Sequence, residues 1–316
     1  MSDCKIYLAP MQGVTEAPFR NFFERDFGGV NAFYTPFIRW EHGGVRRKDI
    51  RDITPGNNMV PVLIPQVLAG SADEGESILG QILPLGYKEV DFNMGCAYPM
   101  VAKKGKGSGI LDKPDAVRDL LSLAEKYPEI HFSVKMRLGY QNVDDCMSLL
   151  PVLNAVPLSR VVVHARSGMQ QYNGDCDRVA FERFAIECKH PVVYNGEMLN
   201  TDEWNALHAK CPNVEGMMWG RGLLAAPWLA SEFRDGRIWN DDEKRQTLRK
   251  FHDALFEHYV AQMEGGEKQV LMKMKTIWEY FLPDADRKAR KKIHKAQRLS
   301  AYSEAVSQLL GSLFRT

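Results

Sequence analysis

The sequence predicts an α/β fold, a (β/α)8 TIM barrel over residues 1–240 followed by a small all-helical C-terminal domain over 241–316. Three observations carry this. Eight short β-branched or apolar runs recur along the first 220 residues, segments with helical apolar spacing fill the gaps between most of them, and no strand signal remains beyond residue 240. Continuous apolar runs such as Arg160-Val161-Val162-Val163 suit strands covered on both faces, a property of parallel sheets, and parallel neighbours need crossovers. A length of 316 residues accommodates one barrel of about 250 residues with an appendage, although length alone equally allows two domains.

In chain order the strand runs are 5–9, 32–35, 61–67, 89–93, 131–136, 160–164, 191–195 and 216–219. Segments 16–27, 73–85, 114–127, 143–156 and 201–210 read as helices, several opening on an acidic or capping residue such as Asp73, Asp112 or Thr201. After the eighth strand, Gly220-Arg221-Gly222 and a helix near 224–234 complete the barrel. Residues 241–316 read as three or four helices, with breaks at Gly265-Gly266, near Pro283-Asp284 and around Leu299-Ser300.

Composition narrows the function class. The chain is 45% hydrophobic and 26% charged, an ordinary globular balance. No apolar stretch approaches the roughly 18 residues of a membrane span, and Met1-Ser2-Asp3-Cys4-Lys5 lacks a basic region followed by an apolar run, so a cytoplasmic protein with no membrane contact is expected. Six cysteines with neither a CxxC pair nor metal-ligand spacing point away from a disulfide framework or a metal site. Charge is uneven. Residues 241–316 hold 15 Lys and Arg against 11 Asp and Glu, or +4, leaving 26 against 29, or −3, on the first 240. Within the tail, 287–298 carries seven cations and no acid, a density suited to phosphate if displayed on one surface and otherwise a solvated helix face.

In such barrels the chemistry lies at the C-terminal ends of the strands. Here those ends carry Pro10-Met11-Gln12-Gly13, Gln66, Asn93-Met94-Gly95-Cys96, Lys135-Met136-Arg137, His164-Ala165-Arg166, Asn195-Gly196-Glu197 and Gly220-Arg221-Gly222. The set suits a large, flat, phosphorylated cofactor. Gln66 and Asn93 can pair with a heterocycle edge, Lys135 can favour anionic charge on a reduced ring, and the glycine-rich turns with Arg221 can take a phosphate. Singly, Gln66 or Asn93 could cap a strand and His164 could be a satisfied core histidine; their joint placement favours the site.

The motifs APMQGVTEAPFR (9–20), PQ (65–66), DFNMGC (91–96), KKGKGSGIL (103–111), VKMRLG (134–139), HARSGMQQYNG (164–174), NGE (195–197) and GRG (220–222) resemble the tRNA-dihydrouridine synthase family, in family order over about 6–230. The helical remainder resembles that family's C-terminal RNA-binding domain in length and position. The resemblance implies FMN-dependent reduction of the C5=C6 bond of a specific uridine in tRNA, with NADPH as the reductant and no obligate protein partner. It places Pro10, Met11 and Gln12 along the isoalloxazine, Gln66 and Lys135 at its polar edge, and His164, Asn195, Gly196, Glu197, Gly220 and Arg221 around the ribityl phosphate, with Arg166 facing cofactor or RNA.

Uracil's C5=C6 bond is conjugated with the C4 carbonyl, so hydride addition at C6 leaves enolate character that needs a proton at C5. A thiol with a pKa near 8.5 is mostly protonated at neutral pH and can donate it, which assigns Cys96 as general acid. The family's usual proline after this cysteine is here Ala97, followed by Tyr98 and Pro99, which points to an altered loop path. The segment 103–107, including Lys104, reads as a basic flexible cover or as a solvated surface loop. Tyr34, Arg39 and Tyr172 are candidates to stack on an extruded base. Lys291, Lys292, Lys295 and Arg298 are candidates for the tRNA backbone, with 291, 295 and 298 on one helix face by i, i+4, i+7 spacing. Two other readings remain: an FMN-dependent reductase or dehydrogenase of a free pyrimidine or small enone, and an RNA-binding protein with a vestigial flavin site.

Overall fold

The computed structural model describes residues 4–313. Its strands are β1 (Lys5–Leu8), β2 (Ala32–Tyr34), β3 (Ile38–Glu41), β4 (Gly44–Val45), β5 (Leu63–Ile64), β6 (Gln66–Leu68), β7 (Glu89–Met94), β8 (His131–Gly139), β9 (Leu158–Ser167), β10 (Val192–Asn195) and β11 (Val214–Trp219). From β6 through β7, β8, β9, β10, β11 and β1 to β2 and β5, every neighbouring pair is parallel. Pro65 separates β5 from β6, and the two are halves of one barrel strand. Proline cannot donate to a ladder, so pairing switches there: β5 pairs with β2, β6 pairs with β7, and the Pro65 carbonyl accepts the Asp91 amide at 2.9 Å. The ring of eight parallel strand positions closes at this residue.

Helices Ala17–Asp26, Ala72–Ile82, Pro114–Leu121, Asp145–Leu153, Arg178–Glu187 and Thr201–Lys210 supply crossovers. Arg178–Glu187 falls outside the predicted helices. Its start is nonetheless capped by Asp177, whose carboxylate accepts the Ala180 amide at 2.9 Å, and it buries Phe181 and Phe184. Between the second and third barrel strands the chain adds the antiparallel β3–β4 hairpin, turned at His42 and Gly43 with φ of 51° and 82°, and the helix Arg47–Ile53. Neither follows from apolar spacing, because both are mostly half-exposed.

The barrel interior is small and apolar around Tyr7, Ala9, Tyr34, Val162, Val193 and Met218. Below it, Arg160 pairs with Glu89 at 3.0 Å and Glu215 at 3.1 Å, while Lys5 and the Tyr7 hydroxyl hold the same Glu215 at 2.6 and 2.8 Å. These charges close the end formed by the strand N-termini, the face that serves stability in barrels of this kind.

Beyond residue 240 four helices follow: Asp241–Gln262, Gly266–Trp278, Arg287–Lys295 and Leu299–Ser312. The first begins at a reciprocal capping box between Asn240 and Glu243. Their core is continuous with the barrel's outer layer. Phe251 meets Phe19, Phe23 and Phe27 at ring distances of 5.3, 6.4 and 5.4 Å, and Lys273 donates to the Gly13 carbonyl at 2.7 Å and the Glu16 carboxylate at 2.6 Å. Inside the bundle the Tyr302 hydroxyl accepts from the Trp278 indole at 2.8 Å and lies 2.8 Å from His252 Nε2, so a buried polar group is satisfied twice. Among the described residues no helix is long and apolar enough to cross a membrane.

Candidate active site

A cavity of about 700 Å³ opens where the strands end. Every residue expected at the cofactor lines it, from Pro10, Met11 and Gln12 through Gln66, Asn93, Lys135, His164, Asn195, Gly196, Glu197 and Gly220 to Arg221, and so do Cys96, Arg39, Arg166 and Tyr172. Strand geometry explains the convergence. Side chains alternate between faces, so on β7 Glu89, Asp91 and Asn93 share the inward face, and on β8 Lys135 and Arg137 do likewise.

Hydrogen bonds fix these inward groups. Asp91 accepts from the Ser133 hydroxyl at 2.6 Å and the Gln66 amide nitrogen at 2.7 Å; the Gln66 oxygen accepts from Asn93 Nδ2 at 2.7 Å. Asn93 Oδ1 accepts the backbone N–H of Gly95 at 3.1 Å and Cys96 at 2.9 Å. The Cys96 carbonyl in turn accepts from Ser108, through its amide at 2.9 Å and its hydroxyl at 3.0 Å. Gly107 is required here: its φ is +57°, and a Cβ would fall 2.6 Å from the Cys96 oxygen. Ala97 is followed by Tyr98, whose carbonyl starts the short helix Pro99–Ala102 and whose ring stands exposed at the cavity rim.

Electrostatics follow from burial. The Cys96 thiol is pushed up by desolvation, against smaller opposing effects of the Tyr98 N–H, Arg137, Lys135 and Arg39, so it stays protonated at neutral pH. Lys135 is lowered to about 8, first by burial and then by Arg137, and its ammonium donates to Asn195 Oδ1 at 2.8 Å. His164 is held well below its usual value by burial and by four neighbouring cations, and is neutral. Its Nε2 lies 3.3 Å from the Arg166 guanidinium, which can only donate, so the ring proton sits on Nδ1.

One side of the mouth is built from Arg166, Glu197 and Arg221. Glu197 bridges the two guanidiniums at 2.7 and 2.6 Å, and Arg166 also donates twice to the Gly174 carbonyl. Arg221 stacks over Tyr172 at 4.5 Å, and Arg137 lies 5.5 Å from the same ring. The residues fit an FMN. The volume is that of a cofactor cleft, Lys135 offers donors, and the turns come close to their surroundings without side chains. A Cβ at Gly196 would meet the Tyr194 hydroxyl at 2.5 Å, and one at Gly222 would meet Leu199 at 2.8 Å.

Three expectations are corrected. Tyr34 is wholly buried inside the barrel, its ring 6.1 Å from Tyr7, because β2 ends before the mouth and turns it inward; it cannot stack on a base. Arg166, expected to face cofactor or RNA, lines the cavity, 2% exposed and with partners on every side. Segment 103–107 is anchored and is no free cover: Lys106 pairs with Glu74, and Gly107–Ile110 is a buried turn. Lys104 is exposed on that loop outside the cavity lining. Finally, Lys291, Lys292 and Lys295 are exposed on Arg287–Lys295, but that helix ends at Lys295 and Arg298 caps the next one in extended backbone. The face shared by 291, 295 and 298 therefore does not form. Ala296 leaves the helix at ψ 133°, and its carbonyl is taken by Lys275.

Residues left without a role in the sequence analysis also line the cavity. Arg137 is buried, donating to the carbonyls of Gly95 at 3.0 Å, Ser167 at 2.8 Å and Gln171 at 2.6 Å; its period-two relation to Lys135 was the available signal. Arg46 and Lys48 arrive with the hairpin region, and Tyr280 reaches the mouth from the end of the second C-terminal helix, which no local pattern announces.

A protein of Rattus norvegicus named as tRNA-dihydrouridine(47) synthase (NAD(P)+)-like is 27% identical over 84% of this chain and 41% of its own length. The chain thus spans about two fifths of such relatives. Probable tRNA-dihydrouridine synthases of Rhodobacter capsulatus and Helicobacter pylori are 27% and 28% identical, over 82% and 87% of this chain and 80% and 82% of theirs. Among solved structures, morphinone reductase in complex with tetrahydroNAD aligns at TM-score 0.50 and 9% identity over 75% of this chain and 88% of that one. The old yellow enzyme homologue from Zymomonas mobilis aligns at 0.50 and 10%, over 76% and 92%; at these identities the likeness is one of fold. The model described as dihydrouridine synthase matches residues 7–310, nearly the whole sequence, and the chain belongs to the dihydrouridine synthase family.

Proposed function

We propose that the chain reduces the C5=C6 bond of a uridine in tRNA, with FMN in the cavity and NADPH as reductant, in the cytoplasm and without an obligate protein partner. Bound FMN, once reduced, supplies the hydride for C6. The chain's own residues do the rest. Cys96 gives its proton to C5, and its raised pKa supports that role because an acid must hold its proton until the carbon becomes basic. Lys135, cationic below about pH 8, favours negative charge at the polar edge of the ring beside Gln66. Arg221 and the backbone at Gly196 and Gly220 take the phosphate, with Glu197 holding Arg221 in place. Tyr172, stiffened between Arg137 and Arg221, and Arg39 face the extruded base.

Residues 241–316 form the tRNA-binding part in this reading, with Lys291, Lys292 and Lys295 on the phosphate backbone. The observation that carries the proposal is one cavity holding the half-buried Cys96 thiol on the same rim as the cofactor-type donors. The test is incubation of the FMN-loaded protein with NADPH and unmodified tRNA, followed by mass spectrometry of nuclease fragments. A gain of two hydrogens at one defined uridine is expected. Turnover of a free pyrimidine or small enone with no change in tRNA would replace this reading with the small-molecule reductase.

A further inference from the structure

The deepest polar group below the cavity, Asp91, has no part in the chemistry above. It is fully buried on β7, with the Ser133 hydroxyl and the Gln66 amide on its oxygens and Lys135 and Arg160 as facing cations. What it does follows from the direction of the bonds above it. The backbone N–H groups of Gly95 and Cys96 can only donate, so the atom of Asn93 that meets both is its oxygen. Asn93 therefore turns its NH₂ to Gln66, Gln66 turns its oxygen to Asn93, and the Gln66 NH₂ faces downward. The group below must then be an acceptor. Every orientation in the chain is determined by its two ends, the backbone at the mouth and the carboxylate in the core.

We propose that Asp91 is a positioning residue, whose carboxylate, acting through the side-chain amides of Gln66 and Asn93, fixes the backbone of Gly95 and Cys96 at the mouth of the cavity. Without an obligatory acceptor at the bottom, the Gln66 amide is free to turn over, placing NH₂ against the NH₂ of Asn93. Asn93 then loses the partner that orients it, and the two backbone N–H groups lose their acceptor. The inference concerns the ordering of the loop and rests on the proposed reaction only for the importance of Cys96. The protein without added cofactor therefore tests it separately.

The polarity can be inverted on purpose. In Asn93→Asp, residue 93 has no NH₂ left for Gln66, so acceptor is pressed on acceptor along the chain, and the strain is relieved by residue 93 swinging off the Gly95 and Cys96 amides. Adding Asp91→Asn lets residue 91 donate to the Gln66 oxygen while still accepting from Ser133, and every contact along the chain again joins a donor to an acceptor. The readout is amide hydrogen exchange at Gly95 and Cys96, resolved by overlapping peptides, in protein checked for folding by circular dichroism. Asp91→Leu and Asn93→Asp should each speed exchange of these two amides about tenfold, the loss of roughly one hydrogen bond. The double variant Asp91→Asn/Asn93→Asp should return within about twofold of the parent. Should Asp91→Leu fail to fold, the comparison of Asn93→Asp with the double variant decides alone. Equal exchange in those two, or exchange at the parent rate in Asn93→Asp, overturns the proposal.

Discussion

The barrel mouth and the helical remainder hold their charges in opposite ways. At the mouth, cations are buried and tied: Arg137 donates to three carbonyls, Arg166 to one carbonyl and Glu197, and Lys135 to Asn195. On Arg287–Lys295 the cations face water; Lys292 reaches only Gln308, and Arg290, the exception, is turned inward onto the Trp278 and Pro283 carbonyls. Fixed, desolvated charges suit a site that must meet developing charge without rearranging. Solvated, mobile ones suit a polyanion held by its backbone. Yet the two regions share one apolar core through Phe251 and one polar strut through Lys273.

The shared core is the part of the comparison most easily broken. Phe251→Ala removes a ring packed against Phe19, Phe23 and Phe27 and should cost about 3–5 kcal/mol of unfolding free energy. The loss should appear as one transition in urea if the regions unfold together. Two separated transitions would show that the helices form an independent unit. Neutralising Lys291, Lys292 and Lys295 together should weaken tRNA binding about tenfold near 0.1 M salt and flatten the salt dependence, with FMN content unchanged. An unaltered slope in titrations at several salt concentrations would move the RNA surface elsewhere.

Lys135 sharpens the electrostatic side of the contrast. Because its folded pKa lies below the unfolded value, its ammonium is lost as pH rises through about 8, and the unfolded chain holds the extra proton above that point. FMN affinity should therefore fall by a few-fold above about pH 8, while the stability of the cofactor-free protein gains from this residue over the same range. Fluorescence titration of FMN against Lys135→Met, which should lack the step, separates the two. The smallest effect belongs to Tyr34→Phe. Tyr34 is buried inside the barrel against Tyr7, away from the cavity, so removal of its hydroxyl should change tRNA reduction less than twofold; a large loss would return Tyr34 to the site.

The same contrast explains what was legible. A parallel barrel writes itself into the sequence twice, as apolar runs on the strands and as polar residues at their ends, so seven strand ends located the cavity. Arg137 was named at its strand end without a role, and period-two reading taken one step further would have set it beside Lys135 and set Asp91 beneath Asn93. Tyr34 was misread because its strand stops short of the mouth, a matter of strand length that composition does not carry. Tyr280 was out of reach, since its place depends on how the bundle docks. On the helical side the breaks near Gly265-Gly266, Pro283-Asp284 and Leu299-Ser300 were visible along with the charge density, but the shared face of 291, 295 and 298 failed because the helix stops at Lys295.

The central claim is a division of labour: chemistry by a protonated thiol at the mouth, grip by the tail. It is tested most directly by single-turnover kinetics of Cys96→Ala, reducing the FMN-loaded protein with NADPH and then mixing it with unmodified tRNA. The account predicts reduction by NADPH and tRNA affinity within about twofold of the parent, with reoxidation by tRNA slowed about 10²–10⁴-fold. Reoxidation by tRNA at the parent rate would contradict it.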